Sequence, residues 1–518
     1  MNSLPVITLL TLLPLLGAFV VIGIDPAKKW LVRNLSFGFS CAGFALAAAM
    51  WVGFDSSDSR LQFAEQHSWI PSLGIEYRVG VDGLGILMVL LTAIVTPIVM
   101  LASRRIEDRV PLYHSMVLFL QAGLFGTFTA LNFFHWFLFW ELSLIPAFFL
   151  IRLWGGPRRT SAATQFFVYT MAGSVAMLLS FLAIYLATGT FDFFKLRELA
   201  VSGELAAQVS ARFQGAFGIS SSHLMLLLFA GVFLGFAVKV PLIPFHTWLP
   251  AAYAEAPTPT TMMLTGLMSK MGVYGFLRLL LPLFPEQMRE WQTPLLWFAV
   301  ATIVLSACAA FVQTDLKRVF AYSSINHLGY CLLGVFALAS LGSAPPWNNE
   351  KAAVLNGVLL QMFNHGLTAP ILFCYIGFLE QRSGGLRGVH DFGGLRKVAP
   401  VFCGLMGIAI FASLGLPGLN GFVGEFLIFK GVYPLATWAA AVSVLGLLVT
   451  AVFLLTVVQR VFHGPLNPHW ASLKDLTFRE KVILIPATVL MFVLGICPQL
   501  LIGKFNATVV DMVAQLKF

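Results

Sequence analysis

Apolar runs of about twenty residues recur along the whole chain, separated by short polar loops. A helix rises about 1.5 Å per residue, so each run can cross a hydrocarbon core about 30 Å thick. Only 11% of the 518 residues are charged and 58% are hydrophobic; a soluble domain carries about 25% charged residues. Nothing reads as a soluble domain or as a linker long enough to tether one. The pattern predicts an all-α polytopic membrane protein with about 14 spans, at 4–24, 31–53, 82–102, 111–131, 132–151, 162–188, 223–245, 258–281, 293–312, 320–341, 352–379, 399–429, 434–459 and 482–502. The run at 4–24 has neither a basic n-region nor a small-residue cleavage site, so it is expected to be a retained span and not a removed signal peptide.

Charge orients the spans. With loops numbered alternately, most of the 32 Lys and Arg fall on one side, among them Lys28, Lys29, Arg33, Arg104, Arg105, Arg109, Arg158, Arg159, Lys317, Arg318, Arg387, Arg396 and Lys397. The acids lean the other way. By the positive-inside rule the basic side is cytoplasmic, and both termini then face the periplasm. The net charge of +9 is therefore a mark of orientation, not a nucleic-acid footprint. Cys41, Cys308, Cys331, Cys374, Cys403 and Cys497 are scattered with no CxxC or Cys/His spacing, which reads as buried thiols. There is no GxGxxG, Walker A or HExxH pattern, so no nucleotide, zinc or iron–sulfur centre is expected in this chain, and no metal site.

The informative residues are the few polar ones inside the runs. Glu141 interrupts FHWFLFWELSLIPAFFLI, roughly 13–14 Å into a helix starting at Asn132, near the membrane midplane. An ionised group there costs at least about 2.5–3.5 kcal/mol. Pro146 follows and should free the carbonyl of Leu142 beside the acid. The bland alternative is a hydrogen bond that joins two helices.

Lys239 lies in LGFAVKVPLIPFHTWLP, where Pro241 and Pro244 break the helix. The carbonyls of Ala237 and Val240 should then flank the ammonium, and such an unwound turn is tolerated only where protein or water surrounds it. A buried lysine shifts its proton affinity readily; the alternative is a side chain that snorkels to the interface near Phe245 and His246. Lys270 is about twelve residues into its span, too deep to snorkel easily. His327 and His365 occupy the following spans, beside Asn326 and Asn364. A lone histidine is more often a satisfied core residue, but here two of them join three other ionisable groups at similar depth.

Glu425 sits in SLGLPGLNGFVGEFLIFKG, where Pro417, Gly415, Gly418, Gly421 and Gly424 break the twelfth span as the prolines break the seventh. The two broken spans are five apart, so they run in opposite directions, as an inverted repeat of spans 4–8 by 9–13 requires. The expected organisation is N-terminal helices at 1–110, a first repeat at 111–285, a second at 286–465, and a C-terminal helix and tail at 466–518. Together Glu141, Lys239, Lys270, His327, His365 and Glu425 predict a polar file parallel to the membrane plane, able to pass protons.

These stretches carry a resemblance. FWELSLIPAFFLI, KVPLIPFHTWLP, EAPTPTTMMLTGLMSKMGVYGFLR, DLKRVFAYSSINHLGY, QMFNHGLTAPILF and GLPGLNGFVGEF resemble the antiporter-like subunits of respiratory complex I and of multisubunit cation/proton antiporters, over roughly residues 75–465. Glu425, where several relatives carry lysine, is similar to the M-type subunit of NADH–quinone oxidoreductase. The resemblance implies 14 helices in two inverted five-helix repeats, each with a broken helix, in a bacterial cytoplasmic membrane. It implies that Glu141 and Lys239 form a charge pair, Lys270 a central relay, His327 and His365 a hydrated link and Glu425 a terminal switch. NADH, FMN, iron–sulfur clusters and quinone would belong to partner subunits, among them other antiporter-like membrane subunits. One departure stands out. Relatives often have Asp-Ala-His after Trp-Leu-Pro, whereas this chain has Ala251, Ala252 and Tyr253, with Glu255 as a substitute acid.

The expected function is thus a proton-translocating subunit. The rivals are a Na⁺/H⁺ antiporter subunit, a pump subunit of a membrane hydrogenase or CO₂-uptake complex, a cytochrome with His327 and His365 on haem, and an inert scaffold.

Overall fold

A computed structural model of the chain describes residues 4–213, 220–340 and 347–516. The described chain is predominantly helical. In order it forms α1 (Val6–Ile22), α2 (Lys29–Gly53), a hairpin of β1 (Gln62–Ile70) and β2 (Ile75–Val81), then α3 (Gly83–Ala102), α4 (Val110–Thr129), α5 (Phe133–Trp154) and α6 (Arg159–Thr188). Two short helices follow, α7 (Phe193–Val201) and α8 (Glu204–Arg212), then α9 (Ser221–Lys239), α10 (Trp248–Glu255) and α11 (residues 258–283). The remaining helices used below are α12 (Gln292–Phe311), α13 (Leu316–Ala337), α14 (Asn348–Arg382), α15 (Pro400–Ser413), α16 (Asn420–Leu435), α17 (Thr437–Phe462), α18 (Phe478–Ile496) and α19 (Gln499–Gln515).

Each predicted apolar run holds helix. Among the described residues, nine helices are long and apolar enough to cross a membrane unaided. α1 and α15 are apolar but shorter, and α18 and α19 form a pair bent by 61°. The antiparallel hairpin and the helices α7, α8 and α19 are departures from the predicted all-α layout and tail. They are too short or too polar to register as apolar runs.

Burial is graded across the bundle. The most apolar stretch of α14 is wholly enclosed and α13 nearly so, whereas α2, α6 and α17 leave most of theirs on the outer surface. Lys270, His327 and His365 fall on the enclosed helices, whereas Glu141 and Lys239 lie on α5 and α9, which are about half covered.

Both expected breaks are present. α9 stops at Lys239 because Pro241 and Pro244 can supply no helical N–H. The loosened carbonyls differ from expectation. Ala237 O accepts from Leu242 N at 2.9 Å, and it is Val238 O that takes the Trp248 indole N–H at 2.9 Å. α15 ends in a Schellman turn: Leu416 N donates to Phe411 O at 3.1 Å and Gly415 N to Ala412 O at 3.3 Å, with Gly415 at φ +77°. Gly421 opens the next half-helix so close to α15 that a Cβ there would meet Ala412 O at 1.9 Å. By contrast Pro146 is accommodated inside α5, which runs through unbroken.

A buried ion pair clamps the start of α3 to the later part of α11. Arg278 of α11 makes two 2.6 Å bonds to Asp82, whose Oδ1 also caps α3 through Leu84 N and Gly85 N. Asp82→Asn keeps the cap but leaves Arg278 unpaired and should destabilise the bundle by about 3–5 kcal/mol. Asp82→Ala should cost about 1 kcal/mol more, through the lost cap. Denaturant unfolding in detergent, read by tryptophan fluorescence, measures both.

Candidate functional site

All six singled-out residues lie on helices that pack around one another, and four of them form a nearly continuous file. Lys270, fully enclosed on α11, is the centre. Its Nζ lies 2.5 Å from Thr265 O, 3.3 Å from Ser269 Oγ and 2.7 Å from His365 Nδ1 on α14. How the carbonyl becomes available is not readable along the chain. Residues Leu264–Met268 and Phe276–Leu280 form π turns on either side of Lys270, and this wider winding re-aims the carbonyls beside it.

His365 passes the file to His327 on α13. Their ring centroids are 5.2 Å apart, tilted by 38°. His327 is bonded at both nitrogens: Nε2 lies 3.0 Å from Ser413 Oγ at the end of α15, and Nδ1 lies 3.1 Å from Glu425 Oε1 on α16. Gln361 Nε2 bridges the same pair, 3.4 Å from Glu425 Oε1 and 3.3 Å from His327 Nδ1. The other carboxylate oxygen of Glu425 lies against Gly415, where a Cβ would stand only 2.5 Å away. The break between α15 and α16 thus shapes the pocket for the acid. Two asparagines brace this half: Asn364 Nδ2 donates to Asn420 O at 2.6 Å, and Asn326 Nδ2 to Ile303 O at 2.7 Å.

The first half is looser. Lys239 is buried, its Nζ 4.7 Å from the Trp140 ring centroid with no hydrogen-bond partner. A cation over an indole face is stabilised by up to about 2 kcal/mol when desolvated, so the ring replaces part of the lost hydration. Lys239 neither snorkels nor makes a direct ion pair with Glu141. Glu141, half-buried on α5, faces Lys239 and Ser174, and its Oε1 is closed off without a partner. Ser174 on α6 accepts the Trp140 indole N–H at 3.0 Å. Glu141, Lys239 and the Trp140 ring thus form one cluster.

Glu255 does not take up the place left by the absent acid. Its carboxylate accepts from Arg158 N at 2.9 Å and pairs with the Arg158 guanidinium at 3.6 Å, so it clips the loop before α6. The basic side is laced instead by Lys317–Glu380 at 2.9 Å and Arg387–Asp315 at 3.1 Å, with Arg387 also donating to Ala254 O at 2.6 Å.

Gln361, Ser413, Ser269, Thr265 and Trp140 were not singled out in the sequence. Gln361 had a readable signal, one helical turn before His365 on the same face. The others are ordinary residues of apolar helices and gain meaning only from what they touch. The haem reading fails on space: rings 5.2 Å apart, with both His327 nitrogens engaged, admit no macrocycle between them.

The arrangement can move protons, since each group in the second half has a neighbour able to give or take one. Comparisons with known proteins agree with that chemistry. Residues 130–453 match the family described as NADH:quinone oxidoreductase/Mrp antiporter, TM. The chain is 33% identical over 525 residues to NADH-quinone oxidoreductase subunit M of Rickettsia bellii, covering 99% of this chain and 100% of that one. It is 36% identical to NAD(P)H-quinone oxidoreductase chain 4 1 of Synechococcus elongatus, over 99% of this chain and 92% of that one. A chain of respiratory complex I from Thermus thermophilus superposes with a TM-score of 0.83 at 27% identity, covering 99% and 100%. The chain belongs to the NADH:quinone oxidoreductase/Mrp antiporter transmembrane family.

Proposed function

We propose that this chain is a proton-translocating membrane subunit of an NADH–quinone oxidoreductase, moving protons along the file Glu141–Lys239–Lys270–His365–His327–Glu425. The observation that carries the reading is the direct Lys270 Nζ to His365 Nδ1 contact at 2.7 Å. An ammonium there can only donate, so the imidazole nitrogen accepts, and the two groups share one proton. From His365 the proton moves past His327 to Glu425, which His327 and Gln361 hold.

In this reading a charge change from a neighbouring subunit alters the Glu141–Lys239 contact. Lys239 then gives up its proton toward Lys270. Redox groups, NADH and quinone belong to partner subunits, and this chain contributes to the enzyme only within the assembly. The subunit crosses the bacterial cytoplasmic membrane 14 times, with both termini periplasmic and inverted repeats at residues 111–285 and 286–465. One break in each half supports the repeat: α9 stops at Lys239, and α15 ends at a left-handed Gly415. A sodium ion would want an oxygen cage at Glu425, whereas the groups bonded to its carboxylate are the nitrogens of His327 and Gln361.

Inverted membrane vesicles containing the assembled complex test this. Lys239→Met should abolish NADH-driven proton uptake while leaving assembly intact; undiminished pumping refutes the scheme, and sodium-dependent transport without an electron donor would favour the antiporter. Gly415→Ala should also depress pumping, because the new Cβ displaces the Glu425 carboxylate and strains a left-handed backbone by about 1–2 kcal/mol. Its coupled rate should fall further than its assembled content, measured by native gel.

A further inference from the structure

The gap in the file lies between Lys239 and Lys270. Lys239 has no hydrogen-bond partner, while Lys270 is held by Thr265, Ser269 and His365. Tyr253 of α10 is fully buried, yet its hydroxyl also has no partner. It faces the hydroxyls of Ser269 and Thr265. Lys239, Tyr253 and Ser269 together line one small cavity of about 10 Å³, closed by Phe166, Trp248, Leu264 and Met268. That volume holds one water, and a buried water needs two to four polar partners. The cavity supplies three.

An unpaired buried hydroxyl costs about 1–3 kcal/mol. Its position next to an equally unpaired ammonium, around a cavity of one water's size, calls for a ligand that satisfies both. We propose that Tyr253, with one water, is the proton bridge from Lys239 to Lys270. This rests on the proton-translocating reading above and names the residues of a step that reading leaves open.

The step balances. Lys239 Nζ gives a proton to the water, and the water gives one of its own to the Tyr253 oxygen. The phenolic proton passes to Ser269 Oγ, whose proton passes to Lys270 Nζ 3.3 Å away. Lys239 ends neutral, Lys270 ends charged, and the water and both hydroxyls are unchanged in composition. Lys270 can accept only after handing its earlier proton to His365, so the bridge fires in one direction at a time. A phenol, like an imidazole, can both accept and donate a proton.

Tyr253→Phe removes one oxygen that has no partner, so packing and assembly should persist. In inverted vesicles its NADH-driven proton uptake should fall about ten-fold, less than the 10²–10⁴ of a fully lost acid or base because water enters the vacated space. The solvent deuterium isotope effect on the coupled rate should rise, which a merely structural hydroxyl would not cause. Tyr253→His should restore the rate. A wild-type rate and isotope effect in Tyr253→Phe overturns the bridge. Lys239→Met, run in parallel, separates the two ideas. If it is inactive while Tyr253→Phe is normal, only the bridge falls; if both pump normally, the proton-translocating reading falls as well. Should Tyr253→Phe fail to assemble, Ser269→Ala breaks the same route at the next hydroxyl and carries the same outcomes.

Discussion

A charged nitrogen buried in an apolar bundle must meet something that can share its proton or its charge. That constraint organises this molecule. Lys270 meets it with His365 at 2.7 Å and with a carbonyl exposed by a π turn. Lys239 meets it with the face of Trp140 and a cavity of one water's size. The two solutions differ in kind. The first is a set of directed hydrogen bonds, and the second leaves a donor without a fixed acceptor.

The irregular backbone serves the same end. Inside an apolar bundle every broken helical bond must be repaired locally, because no solvent is at hand. After Lys239 the Trp248 indole takes Val238 O, and after α15 a Schellman turn satisfies the last carbonyls. Both repairs bring a titratable group to a helix end or next to one. Around Lys270 the helix is not broken but widened twice. Breaks and π turns are thus the means by which polar side chains reach each other across helices that otherwise present only apolar surface.

Much of this was legible in the chain itself. Apolar runs located the helices, and Pro241, Pro244, Pro417 and their neighbouring glycines located both breaks. The mid-run position of Lys270, His327, His365 and Glu425 identified the polar file, because an ionisable residue there has so few inert explanations. Less could be read of which carbonyls the breaks release, since that depends on Trp248 returning to Val238 from ten residues on. Pro146 sits inside α5, which continues past it even though proline has no N–H to offer the Leu142 carbonyl. Glu255 was read as a substitute acid, yet the nearby Arg158 engages it. The hairpin and the helices α7 and α8 left no signal, because a strand pair and helices of 9 residues lack a long apolar period.

The sequence by itself determined that the chain is a bundle of apolar helices, where they break, and which residues are costly to bury. Those properties are local: they follow from hydropathy, from proline's missing N–H and from the price of an ion in a low dielectric. Only the tertiary structure decided which of those residues meet. That Gln361 and Ser413 hold His327 against Glu425, and that Tyr253 shares a cavity with Lys239 and Ser269, depends on contacts between segments far apart in sequence. Hydrogen bonds act over about 3 Å, and no pattern along the chain fixes side chains from different helices to that precision.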